Sequence, residues 1–411
     1  MLGPYPLAEQ SVVGGPEAVI LCLLKHLARH DDLELHLITC RPGIASRGEA
    51  LPERSLVERD VASVGMLRAV KCSPSNASFL PQVGWYVHYL PRQKLGRFTL
   101  HLRERRRMVA LLRQLCPDIV HAHTSGLYAA AALDSGYPAV ITVHGISFRE
   151  AQIAPGLGER VRGALDSAFE RRCLRRARHL VAISPYVEKE FAGITRARTY
   201  TIENPVEALF FQVAEEPRPR MPRVLFVGRL IPRKGLQNLL HAFRLIAAEY
   251  PQLELALAGE EEKGSLYVAA LHRYVQEQGL ERRAYFLGSL SIEQMAQEYR
   301  QSLFMVLPSR QETAPVVIAE AMAAGCPVIA TRVGGVPYQI EQERTGLLVE
   351  YGDVAGLAAN MRRMLDDEAL RACIGQAARA EAWRRFRGDL IAQQTYQMYQ
   401  EVVVEGGKVG R

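Results

Sequence analysis

The chain has 411 residues, 48% of them hydrophobic and 23% charged, a globular composition whose length favours two domains. Seven scattered cysteines (Cys22, Cys40, Cys72, Cys116, Cys173, Cys326 and Cys373), never spaced as CxxC, argue against a disulfide framework or a zinc site and for free thiols in a reducing cytoplasm. No apolar run reaches membrane-spanning length and no signal-peptide pattern is present, so the expectation is a cytoplasmic protein, soluble or peripheral at the inner face of a membrane. The formal net charge is +7, and arginines are concentrated at Arg103 to Arg107 and Arg171 to Arg178. Either stretch alone reads as a solvated helix face. Together they suit an anionic acceptor or anionic lipid. Without interleaved aromatics they give no support for nucleic-acid binding.

Short apolar runs alternate with longer amphipathic ones, the pattern of βαβ units and a parallel sheet. In chain order, residues 17–30 read as a helix, 33–39 as a strand, 98–115 as a helix and 118–123 as a strand. Residues 126–133, 158–176 and 185–191 then read as helices between strands at 139–144, 180–184 and 199–204. A polar, proline-studded stretch over 206–221 interrupts the alternation and reads as a linker. Strands resume at 223–227, 253–258, 284–287, 303–307, 328–331 and 346–349. Helices at 236–250, 267–278, 292–300 and 316–324 lie between them, and the tail from Glu368 is helical. The expected architecture is α/β, with two doubly wound domains, 1–205 and 222–385, facing each other across a cleft, and a terminal helix over 386–411 crossing back to the first domain. Only Met1 and Leu2 precede Gly3-Pro4-Tyr5-Pro6, which already reads as the loop after a first strand, so that strand is expected to be cut short.

The stretch Leu303 to Val328 carries the strongest signal. A buried strand ends near Pro308, a loop carries Glu312-Thr313-Ala314, and Pro315 opens a helix that stops at Gly325-Cys326-Pro327. Glu320 is the one charged residue of that helix. A carboxylate there needs a hydrogen-bond donor, and a ribose diol would serve, although a buried basic partner would do as well. The free N–H groups of the helix start suit a diphosphate. Glu312 lies where a donor sugar's hydroxyls would be, or simply complements the helix dipole.

The second element is Gly228-Arg229-Leu230 leading to Lys234-Gly235, in which two cations bracket a strand–helix junction. Such cations stabilise the negative charge that grows on a departing diphosphate. The third is Gly14-Gly15 before a helix, where the backbone can approach a ligand. The fourth is His144, which ends the strand Val140-Ile-Thr-Val, with His121 and His123 ending the strand before it. His123 is a candidate for the acceptor side and His121 reads as structural. No GxGxxG fingerprint and no DxD pair are present, which speaks against a nicotinamide enzyme and for a site that uses no metal and no cofactor.

These residues resemble family 4 of the retaining glycosyltransferases, over nearly the whole chain. The E-x7-E element matches at Glu312 and Glu320, and the G-R-L-x-x-x-K-G element at Gly228, Arg229, Leu230, Lys234 and Gly235. Gly14-Gly15, His144, Ser184 and Asn204 add support. The resemblance implies a GT-B fold of two Rossmann-like domains. It implies a UDP-, GDP- or ADP-linked sugar donor on the C-terminal side and a glycan or lipid-linked acceptor on the N-terminal side. Glu320 would bind the ribose and Glu312 the sugar. Arg229 and Lys234 would hold the diphosphate, and His144 would contact the sugar near the reacting carbon. Retention would follow from front-face attack, with the leaving phosphate taking the acceptor's proton. Thr313-Ala314-Pro315 replaces the commoner Gly-Phe-Gly or Gly-Leu-Pro type, a departure that bears on sugar preference. The competing readings are another GT-B enzyme such as a sugar phosphorylase, a non-catalytic relative, and an oxidoreductase.

Overall fold

The computed structural model describes residues 1–3, 15–41, 77–80, 84–92, 96, 99–154, 156–215, 222–262 and 264–409. The N-terminal half runs α1 (Gly15–Leu27), β1 (Leu35–Arg41), β2 (Ala77–Leu80), β3 (Trp85–Pro91), α2 (Leu102–Leu115), β4 (Val120–Ala122) and α3 (Leu127–Ser135). It continues β5 (Ala139–Val143), α4 (Ser147–Ile153), α5 (Leu157–Arg176), β6 (His179–Ala182), α6 (Pro185–Phe191) and β7 (Arg198–Thr201). Strands β4-β5-β6-β7 pair in parallel in that order, and β1 pairs with β3 in parallel. Leu2 lies between these two groups, bridged in parallel to Ile38 of β1 and Ala122 of β4. Its N–H donates to His121 O at 2.7 Å and its carbonyl accepts from His123 N at 2.8 Å, so these buried backbone groups are paired where the first strand was expected.

The C-terminal half runs α7 (Ala208–Gln212), β8 (Arg223–Val227), α8 (Leu236–Ile246), β9 (Glu254–Ala258), α9 (Leu266–Glu277), β10 (Ala284–Gly288), α10 (Ile292–Gln301) and β11 (Phe304–Leu307). It closes with α11 (Val316–Ala323), β12 (Val328–Thr331), α12 (Val336–Gln339), β13 (Leu347–Val349), α13 (Val354–Asp366), α14 (Glu368–Arg385) and α15 (Gly388–Val409). Its sheet is β10-β9-β8-β11-β12-β13, all parallel, with order reversing at β8/β11. Such a reversal opens a crevice beyond the strands' carboxyl ends. Strands here are near-continuous apolar runs because helices cover both faces.

Several features depart from the sequence expectation, the short helices α4 and α12 among them. The parallel partner of β1 is β3, reached through antiparallel β2, neither of which the alternation signalled. Helix α13 was not expected either; Asp353 caps it by accepting from Gly356 N at 2.8 Å. The expected linker contains α7, whose Phe210 and Phe211 lie in the C-terminal core. Those rings are apolar enough to be buried, whereas the proline-rich part that prompted the expectation begins only at Pro217.

Helix α15 buries Ile391, Ala392, Met398, Tyr399 and Val402 in a cluster with Leu23, Leu27 and Leu37 of the N-terminal half. The halves are further joined where Arg385 grips Glu203 and where Val206 bridges Arg387. Six cysteines are free thiols, and Cys72 lies outside the described residues. No helix among the described residues is long and apolar enough to cross a membrane.

Candidate active site

The loop after β11 and the start of α11 form the centre of the site. Glu312 is 5% exposed. Its Oε1 accepts from Lys234 Nζ at 2.6 Å and from Ser309 Oγ at 2.6 Å, and Arg233 Nη1 stands 3.5 Å from Oε2. Burial pushes this carboxyl up, but the charges of Lys234 and Arg233 outweigh it and hold the group below its ordinary range. Glu312 is therefore an ionised carboxylate clamped between cations. Arg233 was not singled out from sequence; its place beside Lys234 was the available signal.

Lys234 reaches Glu312 because the chain turns sharply after β8. Gly235 has φ 69°, and a Cβ there would lie 2.1 Å from Pro308 O, so only glycine fits. Gly228 follows β8, where a Cβ would touch Lys234 Cε at 3.4 Å. Arg229 takes a different course from Lys234. It is half-exposed and stands 3.4 Å from Glu260, so the cation that joins Lys234 at Glu312 is Arg233.

Glu320 lies on the fifth residue of α11, about 6 Å along the axis from Val316. It is buried, and Tyr299 Oη donates to its Oε2 at 3.0 Å. The partner is thus a neutral phenol and not a basic residue. Burial raises the carboxyl to about 7, against the pull of the Tyr299 bond and with a smaller push from Glu207. No sequence signal pointed to Tyr299. No side chain caps the start of α11 at Pro315.

The N-terminal half fixes this loop by its backbone. Ser184 Oγ donates to Thr313 O at 3.1 Å, and Asn204 Nδ2 donates to Ala314 O at 3.0 Å. From the other side Gly334, at φ 52°, packs so closely that a Cβ would lie 1.9 Å from Glu312 O. Gly15 begins α1 facing α11, where its Cβ would lie 3.9 Å from Val316 Cγ2, and Gly14 lies outside the described residues.

The histidines form one cluster. His123 Nδ1 lies 3.2 Å from His144 Nε2, and the His121 and His123 rings are 4.2 Å apart. His121 is tied to Tyr399 Oη of α15 at 2.7 Å and to Thr142 Oγ1 at 2.6 Å, as a structural residue would be. Burial pulls His121 down to about 3, His144 to about 4 and His123 well below the ordinary range. All three are neutral at pH 7. They act there as hydrogen-bonding groups and not as cations.

The family described as Glycosyltransferase Family 4 matches residues 13–208, and the one described as Glycosyl transferases group 1 matches residues 210–381. Glycogen synthase of Mycobacterium tuberculosis is 31% identical over 295 residues, covering 69% of this chain and 68% of that protein. The chain belongs to glycosyltransferase family 4.

This transferase is also 36% identical to a D-inositol 3-phosphate glycosyltransferase of Corynebacterium efficiens over 180 residues, which span 43% of this chain and only 42% of that relative. Sucrose-phosphate synthase from Thermosynechococcus elongatus superposes with a TM-score of 0.73 at 22% identity, over 98% of this chain and 99% of that one. Anabaena HepE, solved with UDP and glucose, gives 0.70 at 21% identity over 97% and 99%. Both share the GT-B fold seen here. The transferase is a sugar-transferring enzyme built from two Rossmann-like α/β domains.

Proposed function

We propose that the transferase moves a hexose from a nucleotide-diphosphate sugar to an acceptor hydroxyl, with retention and without a metal. The observation that carries this reading is the clamped pair Lys234–Glu312 at the foot of α11, with Glu320 further along the same helix. Glu320 takes the ribose diol in place of, or beside, the Tyr299 hydroxyl. The diphosphate lies at the uncapped start of α11, facing Lys234 and Arg233. Lys234 has three donors, so it can hold Glu312 and a phosphate oxygen together. As the sugar–phosphate bond breaks, negative charge grows on the diphosphate, and these cations stabilise the transition state more than the ground state. Glu312 then orients the sugar hydroxyls, and His144, neutral, hydrogen-bonds the sugar near its reacting carbon. Glu312 is held by three side chains, which suits positioning better than nucleophilic attack, and the departing phosphate takes the acceptor's proton.

The test is proton NMR of the first product formed. The account expects the anomeric coupling of the donor; an inverted coupling overturns retention. Solved relatives hold UDP or UDP-glucose, which makes uridine diphosphate sugars the first donors to try. Turnover should be unchanged by EDTA, and activity lost to chelation and restored by magnesium would overturn the metal-free reading.

A lipid-linked or anionic acceptor is supported by one surface. The two arginine-rich stretches converge on Asp134 of α3, which accepts from Arg105 of α2 and from Arg176 of α5 at 2.9 Å. Arg103, Arg106 and Arg107 of α2 and Arg171, Arg172 and Arg175 of α5 are exposed, and toward the opposite end of α5 Leu157, Val161 and Leu165 stand exposed at successive turns. Such a face suits peripheral contact with an anionic membrane, at about 1 kcal/mol per arginine near the surface. Co-sedimentation with phosphatidylglycerol vesicles should exceed that with phosphatidylcholine and fall when Leu157, Val161 and Leu165 are changed to serine. Equal binding to both lipids would sink it.

A further inference from the structure

We propose that Glu170 of α5 is a positioning residue for transfer, tying together the two loops that carry His123 and His144. The inference rests on the reading that His144 contacts the donor sugar. Glu170 is 1% exposed. Its Oε1 accepts from Ser125 Oγ at 2.5 Å and from Ser147 Oγ at 3.2 Å, and its Oε2 accepts from Ser147 N at 3.1 Å. Ser125 follows His123 by two residues, and Ser147 follows His144 by three. One carboxylate thus closes the loop after β4 onto the loop after β5. The two imidazoles it brackets meet at 3.2 Å, with His123 Nε2 buried and without a hydrogen-bond partner.

The holder is itself rigid. Helix α5 buries Cys173 and Leu174 in the same core as Ile146, in the loop after β5, and Leu127, the first residue of α3 after the β4 loop. Gly163 lets α5 pack so closely on α4 that a Cβ would lie 2.5 Å from Ala151 Cβ, and Arg171 lies over the Phe148 ring at 5.1 Å. A site held on a packed helix keeps its geometry better than one held by loops alone. A buried carboxylate paired only with hydroxyls and an N–H is a costly choice for stability, and burial pushes Glu170 up to about 7 against the pull of those three bonds. Glutamine satisfies the same partners. Its carbonyl accepts from Ser147 N–H, and its amide donates to the two serine oxygens, which can reverse their roles.

The experiment uses the full chain labelled with 15N-histidine and compares Glu170→Ala with Glu170→Gln. Ring nitrogen signals of His123 and His144 report the positioning directly, whatever the donor, and UDP-glucose turnover and UDP affinity are measured alongside. Glu170→Ala should shift both rings and lower kcat by about 10- to 100-fold, the scale of an ångström of misplacement, while UDP affinity stays within about twofold because the nucleotide site is on α11. Glu170→Gln should restore the ring signals and kcat. A folded Glu170→Ala with unchanged ring signals, or a Glu170→Gln as impaired as the alanine variant, overturns the inference. Should Glu170→Ala not fold, the double variant Ser125→Ala, Ser147→Ala cuts two of the three bonds and carries the same expectation. His144→Ala separates the two levels: wild-type turnover there overturns the parent reading, whereas loss there with Glu170→Ala unaffected overturns this inference alone.

Discussion

Lys234→Ala lowers kcat by about two to three orders of magnitude, the loss seen when one preorganised group facing developing charge is removed. Lys234 Nζ lies 2.6 Å from Glu312 and is mostly buried, so its charge acts in a medium where screening is weak. Arg229→Ala serves as the contrast. Its guanidinium is half-exposed beside Glu260, where an exposed pair contributes little, so its loss should cost less than about 1 kcal/mol of stability. The same substitution at Lys234 also reads out on stability. Glu312 sits below its ordinary range, so its ionised form contributes stability above the ordinary carboxylate pKa, and that contribution is lost as pH falls through the depressed value. Without Lys234 the carboxylate keeps Ser309 and the more distant Arg233, and the acid-side loss moves to higher pH. Melting temperature against pH for wild type and Lys234→Ala measures this. Superimposable curves with unchanged kcat would remove Lys234 from the site.

Glu320→Gln weakens nucleotide affinity by about 10- to 100-fold, as expected when a charge-assisted hydrogen bond worth about 1.5–3 kcal/mol becomes a neutral one. It should also stabilise the free protein at alkaline pH. The folded carboxyl is raised to about 7, so its contribution is full below the ordinary carboxylate pKa and is lost as pH rises through 7. The loss is about 3 kcal/mol for a shift of this size. Glutamine keeps the Tyr299 bond and has nothing to ionise. Its melting temperature at pH 8 should therefore exceed wild type by a few degrees while nucleotide binding falls. A variant that loses stability and keeps affinity would show Glu320 to be a core residue only.

The parts of the site legible in the sequence are those compact along the chain. Glu312 and Glu320 share one loop and helix, and Lys234 follows a glycine-marked strand end, so their local pattern together with the family resemblance singled them out as candidates. The parts not legible come from elsewhere in the chain. Tyr299 meets Glu320 across 21 residues, Ser184 reaches Thr313 O across 129, and Gly334 supports Glu312 from the β12 side. Arg229 and Arg233 are equivalent by composition. Only the turn through Pro232 to Gly235 decides that Arg233 faces Glu312. In the fold, the alternation of apolar runs marked the parallel strands of both halves. It did not mark β2 and β3, because only four residues separate β2 from its antiparallel partner β3, too few for a helix to interrupt the pair.

The most direct test of the central claim is calorimetric titration of wild type and Glu320→Gln with UDP, GDP, ADP and dTDP. The account predicts that one of the four binds wild type and that Glu320→Gln weakens that one by at least about tenfold. Binding of none, or equal binding to both proteins, would contradict a donor site on α11.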